Sequence, residues 1–308
     1  MCAAWRTGTK KQYQTYINQW NTFCGEKDID SLLPNIENVL KFLTYLFYDR
    51  NLSYSAINTA RSALSAYLVF GDGPSSVGNH PLIVKFMKGV FNMRPPAPRY
   101  SHIWDVKPVL DYLRRLSPAT KLDLKKLTKK VVTLLALTSA QRVQTLSKLS
   151  LDNAQITKTK VSFHVDEHIK QSRPGWVGCN VEVGAYPPDR RLCVVTYINH
   201  YVERTQSFRN NEQSLFVSYV KPHGKVSEST ISRWIKEIMK EAGIDVNTFK
   251  SHSTRAASTS TAKRMDVPIE DILKTAGWST EQTFQKFYRK PVKKQKDFAT
   301  AVLDAASH

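Results

Sequence analysis

Between its two long apolar stretches the chain reads Arg94-Pro95-Pro96-Ala97-Pro98-Arg99. Three prolines in four positions fix φ, remove backbone donors and forbid a regular helix, so the segment is predicted to run extended and semi-rigid. A chain of 308 residues can bury two cores. The proline run divides them: residues 1–93 form one domain, 94–100 the linker and 101–308 a second domain.

The first part reads as helices. Tyr13, Tyr16, Ile17, Trp20, Phe23 and Cys24 recur at the 3.6-residue period and make one apolar face. Ile36, Val39, Leu40, Leu43, Leu46 and Phe47 make another, with Pro34 and Asn35 at its start. Ser53 is placed to cap a third helix through Ile57, Ala60, Leu64, Tyr67 and Leu68. After the break at Gly71, Gly73 and Pro74, a shorter helix carries Ile83, Phe86, Met87 and Val90. The second part opens with helices, including Val131–Leu137 continuing past Arg142. Alternation at Val161, Phe163 and Val165, then Val177, Val181 and Val183 beyond Ser172-Arg173-Pro174-Gly175, predicts a hairpin or small sheet. Helical periodicity returns from Ser227 to the C-terminus. The expected fold is mainly α with a small β-sheet.

Lys and Arg number 45 against 26 Asp and Glu, a net charge of +19. Both parts share the excess: residues 1–100 carry 11 basic and 6 acidic side chains, and the remainder 34 and 20. A surplus of this size is the electrostatic footprint of a phosphate-backbone binder, and two positive lobes could both touch one duplex. Cys2, Cys24, Cys179 and Cys193 are scattered, with neither a disulfide framework nor zinc-ligand spacing. No apolar run reaches the ~20 residues a membrane span needs, so no membrane partner is expected. A DNA partner places the protein in the nucleus or a nucleoid-containing cytoplasm.

Six residues stand out as a set: Arg142, Lys170, His252, Arg255, Trp278 and Tyr288. Arg142 lies among Leu134, Leu135, Leu137, Val143, Leu146 and Leu149, where a guanidinium near a core needs an anion. His252 and Arg255 are three apart, which on a helix start brings both to one side. Lys170 approaches the turn between the β-like segments, with Lys158 and Lys160 as competitors. Trp278 follows Ala276-Gly277, and Phe284 and Phe287 fill the core side of their segment, leaving Tyr288 to face elsewhere. Singly, each has a plain structural explanation: a snorkelling arginine, a solvated lysine, a core tryptophan or tyrosine. Together, three cations, an imidazole, a ring N–H and a phenol could hold a phosphodiester while the tyrosine attacks phosphorus. No acidic cage accompanies them, so no metal or other cofactor is expected, and the cations take the role of Mg²⁺ in most nucleases.

In this order the set resembles the signature of the tyrosine recombinase (phage integrase-like) family. The local wording is most similar to its DIRS-type retrotransposon branch, in Ala140-Gln141-Arg142-Val143-Gln144-Thr145-Leu146, Lys170-Gln171-Ser172-Arg173-Pro174-Gly175, His252-Ser253-Thr254-Arg255-Ala256-Ala257, and Gly277-Trp278-Ser279 through Phe287-Tyr288. The resemblance implies a helical core-binding domain followed by an integrase-like catalytic domain. It implies that Arg142 and Arg255 hold the scissile phosphate, Lys170 protonates the leaving hydroxyl and His252 exchanges protons. Trp278 would donate to the phosphate and Tyr288 would be the nucleophile, giving a 3′-phosphotyrosine. Strand exchange would then take a homotetramer on two duplexes of double-stranded DNA, with recombination or integration of a mobile element in the nucleus as the outcome.

Two positions depart from the family pattern. Thr145 stands where many relatives carry an acid, and Trp278 and Tyr288 are ten apart, one more than in bacterial relatives. The apolar stretch from Asp297 to His308 is expected to dock as a helix, on a neighbour or on its own domain. A type IB topoisomerase and a domesticated, inert DNA-binding protein are the competing readings. The charge alone makes one prediction. Duplex affinity measured across a salt series should fall steeply and linearly on a log–log plot, and a flat plot would remove nucleic acid as the partner.

Overall fold

The computed structural model describes residues 5–68, 76–96, 100–170, 172, 175, 177–288, 290 and 291. The chain divides into two compact units, Met1–Arg99 and Tyr100–His308.

Among the described residues the first unit holds four α-helices, α1 (Thr7–Glu26), α2 (Ile36–Tyr48), α3 (Tyr54–Tyr67) and α4 (Pro81–Met93). Their starts follow local chemistry. Asn35 accepts the Asn38 amide, Ser53 accepts that of Ala56, and Pro81 opens α4, where a missing N–H costs nothing. Trp20, Phe42, Leu43, Leu46, Ile57, Leu64 and Ile83 are sealed in the core. Trp20 and Phe42 meet edge to face at 5.3 Å, and the Trp20 ring N–H donates to Ser31 O at 2.9 Å. Arg94, at the end of α4, lies 4.3 Å over the Phe47 ring and donates to Leu52 O, so it is folded into this unit.

The second unit is centred on α6 (Leu124–Ser139), which follows α5 (Val106–Arg115). α6 is buried along most of its length and touches α8 (Val194–Thr205), α9 (Glu228–Glu241) and α10 (Ser253–Arg264). A helix covered on all sides must find partners for its polar groups. Lys129 pairs with Glu237 at 2.6 Å. Lys130 donates to Leu116 O at 2.6 Å and sits 3.6 Å over the Tyr197 ring, and burial pushes its amine down to about 7.

A three-stranded antiparallel sheet stands beside the helices, in the order β1 (Ala154–Ile156), β2 (Lys160–Val165), β3 (Cys179–Gly184). Phe163 faces Ala154 on one side and Val181 on the other, which turns Val161, Phe163, Val165 and Val181 inward. Val177, expected to alternate with them, precedes β3 and is 86% exposed. The chain enters β3 through Gly178 at φ +101°, where a Cβ would lie 2.6 Å from the His164 ring and 2.8 Å from Val165 O. No other residue fits that approach.

The structure corrects one expectation that bears on the site. The helix does not continue past Arg142: α6 ends at Ser139, Ala140 adopts φ +50°, and Arg142 is extended before the single turn of α7 (Val143–Leu146). Tertiary demands override local propensity there, because Ala140 packs with Trp278 and Phe284 and gives its carbonyl to Arg255. α11 (Ile269–Ala276) and α12 (Glu281–Phe287) complete the described helices. Arg173 and Pro174 of the expected turn, most of Lys290–Lys296 and the whole of Asp297–His308 lie outside the described residues.

Buried packing and capping set the stability of the first unit. In urea unfolding of the full chain, Leu64→Ala should cost about 2–5 kcal/mol. Ser53→Ala, which removes a single cap bond, should cost about 0.5–2 kcal/mol.

Candidate active site

Helix ends position five of the six residues, and the connection after β2 carries the sixth, Lys170. His252 is the N-cap residue of α10 and Arg255 lies one turn in, as their spacing predicts. α11 stops at Gly277, whose φ of +62° is left-handed backbone that glycine adopts without strain. The Gly277 amide then bonds Lys274 O at 3.0 Å and that of Trp278 bonds Leu273 O at 2.9 Å. This pair of bonds is a Schellman stop, and it aims the Trp278 ring back over the end of its own helix. Tyr288 follows the last residue of α12. Its amide bonds Phe284 O at 2.9 Å, and its carbonyl accepts from Ser260 Oγ at 2.6 Å.

Arg255 is 1% exposed. Its guanidinium donates to Ala140 O at 2.7 Å and to Ala276 O, the carbonyls at the ends of α6 and α11. Helix C-termini carry partial negative charge, so two of them offset part of the cost of burying this cation. Its guanidinium carbon lies over the Trp278 ring, 4.4 Å from the centroid, and over that of Tyr288 at 5.5 Å. The Trp278 and Tyr288 rings are 4.4 Å apart. The Tyr288 hydroxyl is 3.2 Å from His252 Nε2, and which atom donates depends on the imidazole tautomer.

Burial, and after it the like charge of Arg142, push the Arg255 guanidinium down to about 9, so it stays cationic at neutral pH. Among the described residues neither arginine forms an ion pair with a carboxylate. Arg142 Nη1, Arg255 Nε and Trp278 Nε1 are buried donors with no hydrogen-bond partner. Three unsatisfied N–H groups on adjacent side chains are costly unless an acceptor meets them. An oxyanion with several oxygens, such as a phosphodiester, is such an acceptor.

Lys170 is exposed in the connection after β2, and its side chain makes no hydrogen bond or ion pair with the other five among the described residues. Its backbone N–H donates to Gln144 Oε1 at 2.8 Å, which ties its position to the Arg142 turn. Sequence reasoning missed the supporting groups. Gln141 donates to Thr275 O at 2.7 Å, Trp104 donates to Ser253 Oγ at 2.8 Å, and Ser260 accepts from the Lys290 amide at 3.2 Å as well as holding Tyr288. The two glutamines flanking Arg142 were visible as a motif. Nothing in the sequence marks Ser260. Among the described residues no group of three His, Cys, Asp or Glu side chains could hold a metal ion, and no helix is long and apolar enough to cross a membrane.

The mostly helical fold with one small sheet is that of the integrase catalytic domains among solved structures. A lambda integrase dimer bound to a COC' core site is 12% identical, with a TM-score of 0.59 over 95% of this chain and 92% of that one. The Tn1549 transposon integrase in complex with transposon right end DNA is also 12% identical, with a TM-score of 0.59 over 98% and 94%. A lambda integrase tetramer bound to a Holliday junction gives 12% and 0.55 over 95% and 74%. Comparison with curated protein sequences finds no match. Residues 110–294 match the phage integrase family, and the chain belongs to that family, the tyrosine recombinases.

The unpaired donors make a prediction that needs no DNA. Inorganic phosphate should raise the melting temperature, by the equivalent of about 2.7 kcal/mol at a hundred times its Kd. The gain should shrink in Arg142→Ala and Arg255→Ala, and an equal gain in all three proteins would place the anion elsewhere.

Proposed function

We propose that this protein breaks and rejoins DNA through a covalent tyrosine intermediate, carrying out site-specific recombination. The observation that carries the reading is the juxtaposition at Tyr288. Its hydroxyl sits beside an imidazole able to take the proton, and its ring packs against the buried donors of Trp278 and Arg255. Family membership and fold support the same chemistry.

In this mechanism Arg142, Arg255 and Trp278 hold the non-bridging oxygens and stabilise charge as phosphorus becomes pentacoordinate. His252 receives the phenolic proton. The Tyr288 oxygen–phosphorus bond forms as the bond to the 5′-oxygen breaks, and Lys170 protonates the leaving hydroxyl. The 3′-phosphotyrosine conserves the energy of the phosphodiester, and a 5′-hydroxyl from a partner strand reverses the step. The cations supply the charge a metal would otherwise bring, so the reaction runs in chelator. Exchange takes two duplexes and four protomers; the tetrameric lambda integrase on a Holliday junction supports that arrangement. The resemblance of the four motif blocks to the DIRS-type branch supports a mobile element as the DNA and the nucleus as the place of work.

A nicked suicide duplex tests this directly. The wild-type protein should form a covalent adduct in EDTA, and peptide mapping should find the phosphate on Tyr288. Tyr288→Phe should bind the duplex with nearly unchanged affinity, since distributed Lys and Arg supply the binding, and form no adduct. An adduct on Tyr201 or Tyr219, or activity that needs Mg²⁺, would sink the assignment.

A further inference from the structure

Two glutamines flank Arg142, and the proposed chemistry gives them no task. They reach in opposite directions. Only an amide N–H can donate to a carbonyl, so Gln141 must present Nε2 to Thr275 O; only an oxygen can accept a backbone N–H, so Gln144 must present Oε1 to Lys170. Gln141 is 93% buried, and its Oε1 has no partner, so the bond to Thr275 is the amide's sole hydrogen bond. That bond joins the residue after Ala140 to the residue before Ala276, the two whose carbonyls grip Arg255. Gln141 thereby closes a ring around the guanidinium.

Gln144 does the equivalent for Lys170. The turn carrying the lysine is anchored by Ile169, which is buried, and by reciprocal bonds of 2.9 Å in which the Ile169 amide donates to Ser172 Oγ and the Ser172 amide to Ile169 O. The Lys170 amide lies between those anchors, and Gln144 binds it from the Arg142 side. An exposed lysine thus has a fixed backbone origin referred to Arg142 itself.

We infer that Gln141 and Gln144 are positioning residues for opposite ends of the reaction: Gln141 sets Arg255 against the phosphate, and Gln144 sets Lys170 against the leaving oxygen. This rests on the covalent mechanism proposed above. The Arg142 turn is thus tied outward through amides on either side of the arginine.

The two roles separate chemically. A 5′-oxygen needs a proton as it leaves, whereas a 5′-bridging sulfur leaves as a thiolate and does not. Suicide substrates with oxygen or sulfur at that position are compared by single-turnover adduct formation with the full chain. On oxygen, Gln144→Met should be slower by about 10²-fold, the scale of a displaced catalytic group. On sulfur it should approach the wild-type rate, and Gln144→Glu, which keeps an acceptor, should restore the oxygen rate. Gln141→Met should be slowed on both substrates alike, because sulfur does not replace a phosphate-holding cation. The sulfur-to-oxygen rate ratio is taken within each variant, so a partly folded preparation does not distort it. Equal slowing of Gln144→Met on both substrates, or none on either, overturns its role; selective rescue of Gln141→Met by sulfur overturns that of Gln141. Absence of an adduct with wild-type protein on either substrate is a different result, which removes the covalent reading and this inference with it.

Discussion

A cation held between the ends of two helices organises this site. Arg255 has no carboxylate partner among the described residues; instead it is gripped by carbonyls at the C-termini of α6 and α11. Those carbonyls are orphans of helix geometry and need a donor, and the guanidinium supplies two. Ala140 takes left-handed backbone so that its carbonyl is free to turn inward, and Gly277 does the same one residue beyond the other carbonyl. A carboxylate at this place would neutralise the charge and compete with any anion for it. Carbonyl dipoles keep the arginine charged and leave Nε unengaged. The arrangement supports a buried cation while leaving it a donor free for an acceptor.

The sequence disclosed the parts of this molecule that local physics decides. Asn35 and Ser53 cap the helices they precede because an oxygen before an apolar run satisfies an orphan amide in almost any context. The inward alternation of Val161, Phe163 and Val165 was equally plain. The end of α6 was not, since Thr138, Ser139 and Ala140 carry no stop signal and the break answers to Arg255, 115 positions away. Strand β1 is three residues long, too short to show a period, and residues 185–226, with α8 among them, were assigned no element.

At the site, the six side chains were legible as an ordered set because their chemistry is unusual in combination. The structure packs Arg255, Trp278 and Tyr288 together, sets His252 beside the Tyr288 hydroxyl, and puts Arg142 near enough to act on Arg255. Lys170 joins them through its backbone alone. The tasks of the two glutamines and of Ser260 were hidden, because hydrogen bonds between separate elements, 26 to 134 positions apart, leave no trace in spacing. At 12% identity the lambda and Tn1549 integrases share this fold, which fits a design in which main-chain groups, indifferent to residue type, do much of the holding.

The attachment of Tyr288 carries one more consequence. α12 spans seven residues, too few to be stable alone, and Tyr288 lies just past its end. Beyond that helix the described backbone is held at two places: Ser260 Oγ bonds the Tyr288 carbonyl and the Lys290 amide, and the Ile103 amide donates to the Pro291 carbonyl at 2.8 Å. None of these bonds is part of the carbonyl grip on Arg255, which belongs to α6, α10 and α11. Displacing Tyr288 would break those few bonds and its ring contacts, while the two carbonyls that grip Arg255 would stay in place.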